Sequence, residues 1–155
     1  MEITKDFREF LKLLNENGVK YLVVGGYAVN FHGYPRYTKD IDFWIWPDHA
    51  NIERLLVALH GFGFGALGLG VEDFTNPANI IQLGYEPYRI DLMTEIEGLD
   101  FEECYAGREV HQLFEVKVDF INLPKLIEAK RIANRLQDLA DAEQLEKIFR
   151  KKNKK

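Results

Sequence analysis

Apolar positions along the first half of the chain change period twice, and each change marks an element. Between residues 4 and 17, Phe7, Phe10, Leu11, Leu13 and Leu14 fall at helical spacing, and Gly18 follows Asn17 as a stop. Tyr21–Val24 is a short, continuous apolar run that ends in Gly25-Gly26, which predicts a buried strand and a tight turn. Tyr27–Phe31 is long enough for a short helix opening on those glycines. Lys39–Trp46 predicts a second strand, and Asp48 is placed to cap a helix running to about His60 with Ile52, Leu55, Leu56 and Leu59 on one face.

Periodicity then lapses. GFGFGALGLG holds five of the chain's 12 glycines and predicts a mobile connection, with Val71–Pro77 as a loop after it. Asn79–Leu83 and Tyr88–Ile96 predict strands of a hairpin turning at Gly84–Pro87. Glu109–Phe114 and Val116–Ile121 fit either one more strand pair or a single long strand. From Pro124 onward the pattern is helical, with Leu126, Ile127, Ile132, Ala133, Leu136, Leu139, Ala140, Leu145 and Ile148 as the apolar set. A break near Asn134–Leu136 divides it into two helices. The fold class is α+β, a mixed sheet flanked by helices and followed by C-terminal helices. With 155 residues and no linker, one domain is expected: a sheet-containing core over about 1–122, helices over about 123–150, and a basic tail at 150–155.

Composition narrows the chemistry. The chain has 46% hydrophobic and 29% charged residues, as a soluble globular protein does. No apolar run approaches the roughly 20 residues of a membrane helix, and MEITKDFREF is unlike a signal peptide. One cysteine, Cys104, leaves no internal disulfide, and a reducing cytoplasmic location is expected. There is no serine, so serine-nucleophile hydrolysis is excluded. Acids on the N-terminal side of Cys104 disfavour a thiolate there. The net charge of −5 conceals a tail, RKKNKK, with five of the 20 basic residues; residues 1–149 carry 15 basic and 25 acidic side chains, a net of −10. Such a body does not coat DNA unspecifically; the tail is expected to be a frayed, solvated end.

Against that background two carboxylates are out of place. Asp40 and Asp42 sit in the apolar strand KDIDFWIW, 14 and 16 residues after Gly26. Alternation puts them on one face, roughly 7 Å apart, with Ile41 and Phe43 turned into the core. Carboxylates so close repel each other unless a proton or cation lies between them, and Mg²⁺ is the economical partner. Asp91 repeats the oddity between Ile90 and Leu92; its alternative role is a salt bridge to Arg89 or a similar base. Three acids from neighbouring strands meet the requirement of a two-metal phosphoryl-transfer site. Gly25-Gly26 ends a strand and opens a helix, which permits close backbone approach to an anion.

Competing motifs fail. Gly63-x-Gly65-x-x-Gly68 formally matches a dinucleotide fingerprint, but a helix precedes it and a loop follows. His32, His49, His60 and His111 lack zinc-site spacing; His32 is expected on a helix face.

Gly25-Gly26, thirteen residues, Asp40-Ile41-Asp42-Phe43 and the later Asp91 resemble the signature of the nucleotidyltransferase superfamily related to DNA polymerase β. Arg36-x-Thr38-x-Asp40-Ile41-Asp42 and LIEAKRIANRLQDLADAEQL are similar to small prokaryotic members near the AbiEii-type toxin–antitoxin nucleotidyltransferases. The resemblance covers roughly residues 5–148, with a spacer at the family's long end. It implies that Gly25 and Gly26 hold nucleotide phosphates, that Asp40, Asp42 and Asp91 are catalytic and bind Mg²⁺, and that Asp91 assists deprotonation of the incoming hydroxyl. Arg36 and Thr38 become contacts to triphosphate or acceptor, and Lys130 matches a family lysine near the triphosphate. Solvation is the alternative for Lys130, Arg131 and Arg135, and Asp138 and Asp141 have pairing with Arg135 as theirs.

The implied activity is transfer of an NMP from an NTP such as ATP to a hydroxyl acceptor, with pyrophosphate released, in a toxin–antitoxin or phage-defence setting. Protein, tRNA and small-molecule acceptors all stay open. The other reading is a non-catalytic module of the same fold that neutralises a partner by contact. The Arg-x4–6-His motif of partner RNases is absent from the C-terminal helices, so such a toxin or antitoxin would be a separate chain.

Overall fold

The computed structural model describes residues 4–85, 88–113 and 115–154. Helix α1 (Lys5–Glu16) starts where Thr4 accepts a hydrogen bond from the Phe7 amide at 3.2 Å, and it buries Phe7, Phe10, Leu11 and Leu14. Strand β1 (Tyr21–Val24) is buried along its whole length and leads directly into α2 (Gly25–Phe31). Strand β2 (Ile41–Ile45) is shorter than the predicted 39–46, so Asp40 belongs to its lead-in rather than to the ladder. Helix α3 (His49–Leu59) follows, with Asp48 in the cap position but without a side-chain capping bond.

The glycine-rich segment winds into a wide helical turn, His60–Phe64, broken at Gly63 (φ 98°), and a tight one, Gly65–Leu67. The loop expected at 71–77 contains a short helix, α4 (Glu72–Thr75), which buries Phe74. Strands β3 (Ile80–Tyr85) and β4 (Tyr88–Met93) pair antiparallel from Ile80↔Met93 to Tyr85↔Tyr88. The first strand thus runs longer than predicted, through Gly84, and the second stops three residues early; positions 86 and 87 of the expected turn lie outside the described residues.

Helix α5 (Phe101–Ala106) was not expected. Asp100 accepts from the Glu103 amide at 3.0 Å, and Phe101 and Cys104 are buried one turn apart. Strands β5 (Glu109–Leu113) and β6 (Val116–Phe120) are an antiparallel pair rather than one long strand, turning at Glu115 with φ 67°; Phe114 is outside the described residues. Asn122 caps α6 (Leu123–Ala133) by accepting from the Lys125 amide at 2.9 Å, and Asn134, at φ 60°, ends it before α7 (Leu136–Lys152). Helix α7 incorporates Arg150, Lys151 and Lys152, so half of the expected frayed tail is a helical last turn whose cations complement the dipole.

Among the described residues the strands form one six-stranded mixed sheet in the order β3-β4-β2-β1-β6-β5. Side chains of β2 alternate across it. On one face Phe43 meets Phe10 of α1, ring centroids 5.4 Å apart; on the other Trp44 meets Phe101 of α5 at 5.2 Å. Asp42 shares the face of Trp44. Among the described residues no helix is long and apolar enough to cross a membrane.

The C-terminal helices depart from the predicted apolar face. Leu126, Ile127 and Leu145 are buried, whereas Leu136 is 90% exposed and Leu139 and Ile132 are also exposed. In their place α7 turns Asp138, Asp141 and Ala142 inward. Burying two carboxylates is costly unless cations meet them, and three cations do, as described below.

Candidate functional site

Strand β1 stops at Gly25 because the chain there enters the left-handed region, φ +66°, which glycine adopts without penalty. Val24 of β1 faces Asp42 of β2 in antiparallel register, and Asp42 faces Asp91 of β4 in parallel register. Asp42 therefore stands mid-sheet, between the glycine turn and a second acid. A Cβ at Gly25 would run into the Asp42 carboxylate, so the carboxylate lies directly against bare backbone. At Gly26 the intruder would be Thr38, its Oγ1 2.7 Å from the added carbon. Thr38 in turn donates to the Asp40 carbonyl at 3.2 Å, which fixes the lead-in to β2.

The same connection is fastened to α2 by Asn30, a residue that belongs to none of the motifs above. Its Nδ2 donates to the carbonyls of Gly26 (3.0 Å) and Arg36 (2.7 Å), and its Oδ1 accepts from the Arg36 amide at 3.0 Å. An asparagine five residues into a Gly-Gly-headed helix is the only sequence signal for it.

Asp42 carries the most perturbed carboxyl of the site. Burial, then the negative charges of Asp91 and Asp40, push it up to about 7, with Lys130 pulling the other way. Asp91 is nearly buried and is gripped by Arg89: Nε meets Oδ1 at 2.8 Å and the terminal nitrogen meets Oδ2 at 3.2 Å. The same guanidinium reaches Asp40 Oδ2 at 3.1 Å. The Asp91–Arg89 salt bridge, raised above as an alternative for Asp91, is thus present, and it extends to Asp40. Asp40 Oδ1 is buried without a hydrogen-bond partner.

A second charged layer borders the first. Lys130 of α6 is buried, its Nζ 3.1 Å from Asp141 and 3.4 Å from Asp138. Arg36 reaches Asp141 at 3.2 Å, and Arg135 reaches Asp138 at 2.6 Å. Gln137 donates to the other Asp141 oxygen at 2.8 Å. Burial would raise the Asp138 carboxyl, but the Arg135 hydrogen bond and Lys130 outweigh it and hold it below the usual range. Lys130 is therefore no solvated surface lysine. Arg131, in contrast, is half-exposed and pairs with Glu146 at 2.8 Å.

The fold thus brings Gly25, Gly26, Thr38, Asp40, Asp42 and Asp91 to one end of the sheet, with Arg36 and Lys130 joined beside them on Asp141. Cys104 and His32 lie elsewhere in roles that fit packing. Burial pushes the Cys104 thiol up, and the His32 ring nitrogen Nε2 is 2.7 Å from the Ile121 carbonyl oxygen, with burial lowering its pKa. Among the described residues no three His, Cys, Asp or Glu side chains already form a metal cage; the Asp40 and Asp91 carboxylates are turned onto Arg89.

Comparison with curated proteins finds no significant match. Among solved structures the fold is similar to the lincosamide antibiotic adenylyltransferase LnuA, solved with lincomycin bound (TM-score 0.61, 16% identity, covering 96% of this chain and 99% of that one). It is also similar to a putative nucleotidyltransferase from Thermotoga maritima (TM-score 0.55, 15% identity, 93% and 90% covered). A third is an antigenic nucleotidyltransferase-like protein from Paracoccidioides brasiliensis (TM-score 0.53, 14% identity, 89% and 71% covered). The family model described as "Nucleotidyl transferase of unknown function (DUF2204)" matches residues 3–155. The chain belongs to this nucleotidyl transferase family.

Proposed function

We propose that the protein is a Mg²⁺-dependent nucleotidyltransferase that moves an NMP from an NTP onto a hydroxyl acceptor and releases pyrophosphate. The observation that carries this reading is the cross-strand pair Asp42↔Asp91, set against the bare backbone of Gly25 with Asp40 in the lead-in. Mg²⁺ suits the donors in kind, since all three offer carboxylate oxygen and Asp40 Oδ1 is buried with no hydrogen-bond partner. Asp40, Asp42 and Asp91 would hold it, in a one- or two-ion site. Bound there, the metal would offset charge on the triphosphate and favour ionisation of the acceptor hydroxyl.

The chain's own groups supply the rest. Backbone N–H groups at Gly25 and Gly26 receive phosphate oxygens, and Thr38 keeps the Asp40 lead-in against them. Lys130 and Arg36, both fixed on Asp141, present positive charge to the polyphosphate. The acceptor oxygen bonds to the α-phosphorus as the bridging P–O bond to the β-phosphate breaks. Pyrophosphate leaves with that electron pair, and Asp91 takes the acceptor's proton.

Incubation with Mg²⁺, cell extract and each of the four NTPs, labelled at the α- or the γ-phosphate, tests this. Label is expected to reach a macromolecule or small acceptor from the α-position alone. Digestion with protease or RNase then sorts protein from tRNA, and resistance to both indicates a small-molecule alcohol. Failure of every α-labelled NTP to mark anything would sink the reading.

Three exposed apolar side chains of the C-terminal helices, Ile132, Leu136 and Leu139, favour a second reading, a module that neutralises a separate toxin chain by contact. Neutralisation that survives the double substitution Asp40→Asn, Asp42→Asn would establish it; loss of neutralisation would return the role to catalysis.

A further inference from the structure

We propose that Arg89 is an internal counter-cation that holds the acid pair Asp40 and Asp91 in the metal-free protein and must withdraw before a divalent ion can bind. The inference rests on the metal-dependent reading given above and concerns a residue that reading leaves out.

The geometry is that of a plug. The Arg89 guanidinium takes both oxygens of Asp91, at 2.8 and 3.2 Å, and one oxygen of Asp40, at 3.1 Å. Those are three of the six carboxylate oxygens at the site. A bidentate fork on one carboxylate with an ion pair to another suits the planar, five-donor guanidinium. Its place in the sheet makes this possible: Arg89 and Asp91 are two residues apart on β4 and so share a face, and β4 lies in parallel register beside β2, where Asp40 enters.

The acids need such a cation. Asp42, in the middle, faces Asp91 in cross-strand register and follows Asp40 by two residues. Without Arg89 the metal-free site would hold Asp40 and Asp91 beside Asp42 without the cation that now joins them. A divalent ion does the same neutralising work with a higher charge, yet it requires the very oxygens that Arg89 holds. Metal and guanidinium therefore compete.

Competition has a sign that a supporting role does not share. An arginine that merely props Asp91 in position would weaken metal binding when removed; a plug strengthens it. The measurement is the Mg²⁺ affinity of the free protein, by titration calorimetry without nucleotide, at one pH well above 7. Arg89→Gln is expected to bind Mg²⁺ at least tenfold more tightly than wild type. Arg89→Lys, which keeps the charge but loses the fork, is expected in between.

Thermal melting gives an independent reading. Metal-free Arg89→Gln is expected to melt below wild type and to gain more from added Mg²⁺; a variant that folds only when Mg²⁺ is added would be the extreme form of the same result. Equal or weaker Mg²⁺ binding in both variants, with normal binding in wild type, overturns the plug and leaves the transferase reading standing. No binding in wild type or either variant overturns both.

Discussion

At the residue scale, the site is built on one contact that only glycine allows. Gly25 combines a left-handed backbone with a carboxylate seated where its Cβ would be. Gly25→Ala should therefore incur backbone strain of about 1 kcal/mol and also dislodge Asp42. Gly68 has the same φ, +66°, with nothing within 4 Å of an added Cβ, so Gly68→Ala isolates the strain. Urea unfolding is expected to show a larger loss for Gly25→Ala, and Mg²⁺ affinity should fall in that variant alone; equal losses in both would mean the Asp42 contact is unimportant.

Asp42 itself gives a pH signature. Its folded carboxyl is raised from 3.8 to about 7, so the folded state binds that proton more tightly than the unfolded chain. The resulting stabilisation is complete below about pH 4 and is lost as pH rises toward and through about 7. Urea unfolding of metal-free protein at pH 5 and pH 8 should show this decline in wild type and a smaller one in Asp42→Asn. Identical declines would mean that Asp42 is not the group responsible.

At the element scale, helix α7 shows where periodicity misleads. Hydrophobicity puts Leu136 and Leu139 on the inner face, but Asp138 and Asp141 occupy it because Lys130, Arg135 and Arg36 converge there from α6, from the α6–α7 junction and from the lead-in to β2. No pattern within the helix encodes partners that arrive from elsewhere. The consequence is measurable: Leu136→Lys should change stability by less than about 0.5 kcal/mol, whereas Leu145→Ala should cost about 2–4 kcal/mol. Urea titrations would check both, and a large loss from Leu136→Lys would contradict the packing described.

Helix α5 escaped for a different reason. Six residues carry too little period to recognise, although Asp100 followed by Glu103 is a capping pattern. What was legible, by contrast, were anomalies visible at single positions. Aspartates inside the apolar runs of β2 and β4, and a glycine pair closing β1, stand out without any tertiary information. Arg89 did not stand out as a plug, because its reach to Asp40 exists only once β4 lies beside β2.

At the scale of the whole molecule, the sheet order β3-β4-β2-β1-β6-β5 places the acid-bearing strands and the glycine-ended strand next to one another. Helices α6 and α7 close the site from the C-terminal half with a buried layer of paired charge. In the proposed reaction a chain with a net charge of −5 would thus face a polyphosphate with Lys130 and Arg36. A metal-dependent site here has to combine those cations with three carboxylates.

The most direct test of that combination is pyrophosphate release coupled to label transfer, in wild type and in Asp42→Asn. With an α-labelled NTP, Mg²⁺ and extract, wild type is predicted to yield one pyrophosphate per label transferred, and chelation by EDTA to stop both. Asp42→Asn, folded as judged by circular dichroism, is predicted to yield neither. Transfer at the wild-type rate by Asp42→Asn, or transfer undiminished by EDTA, would contradict the account.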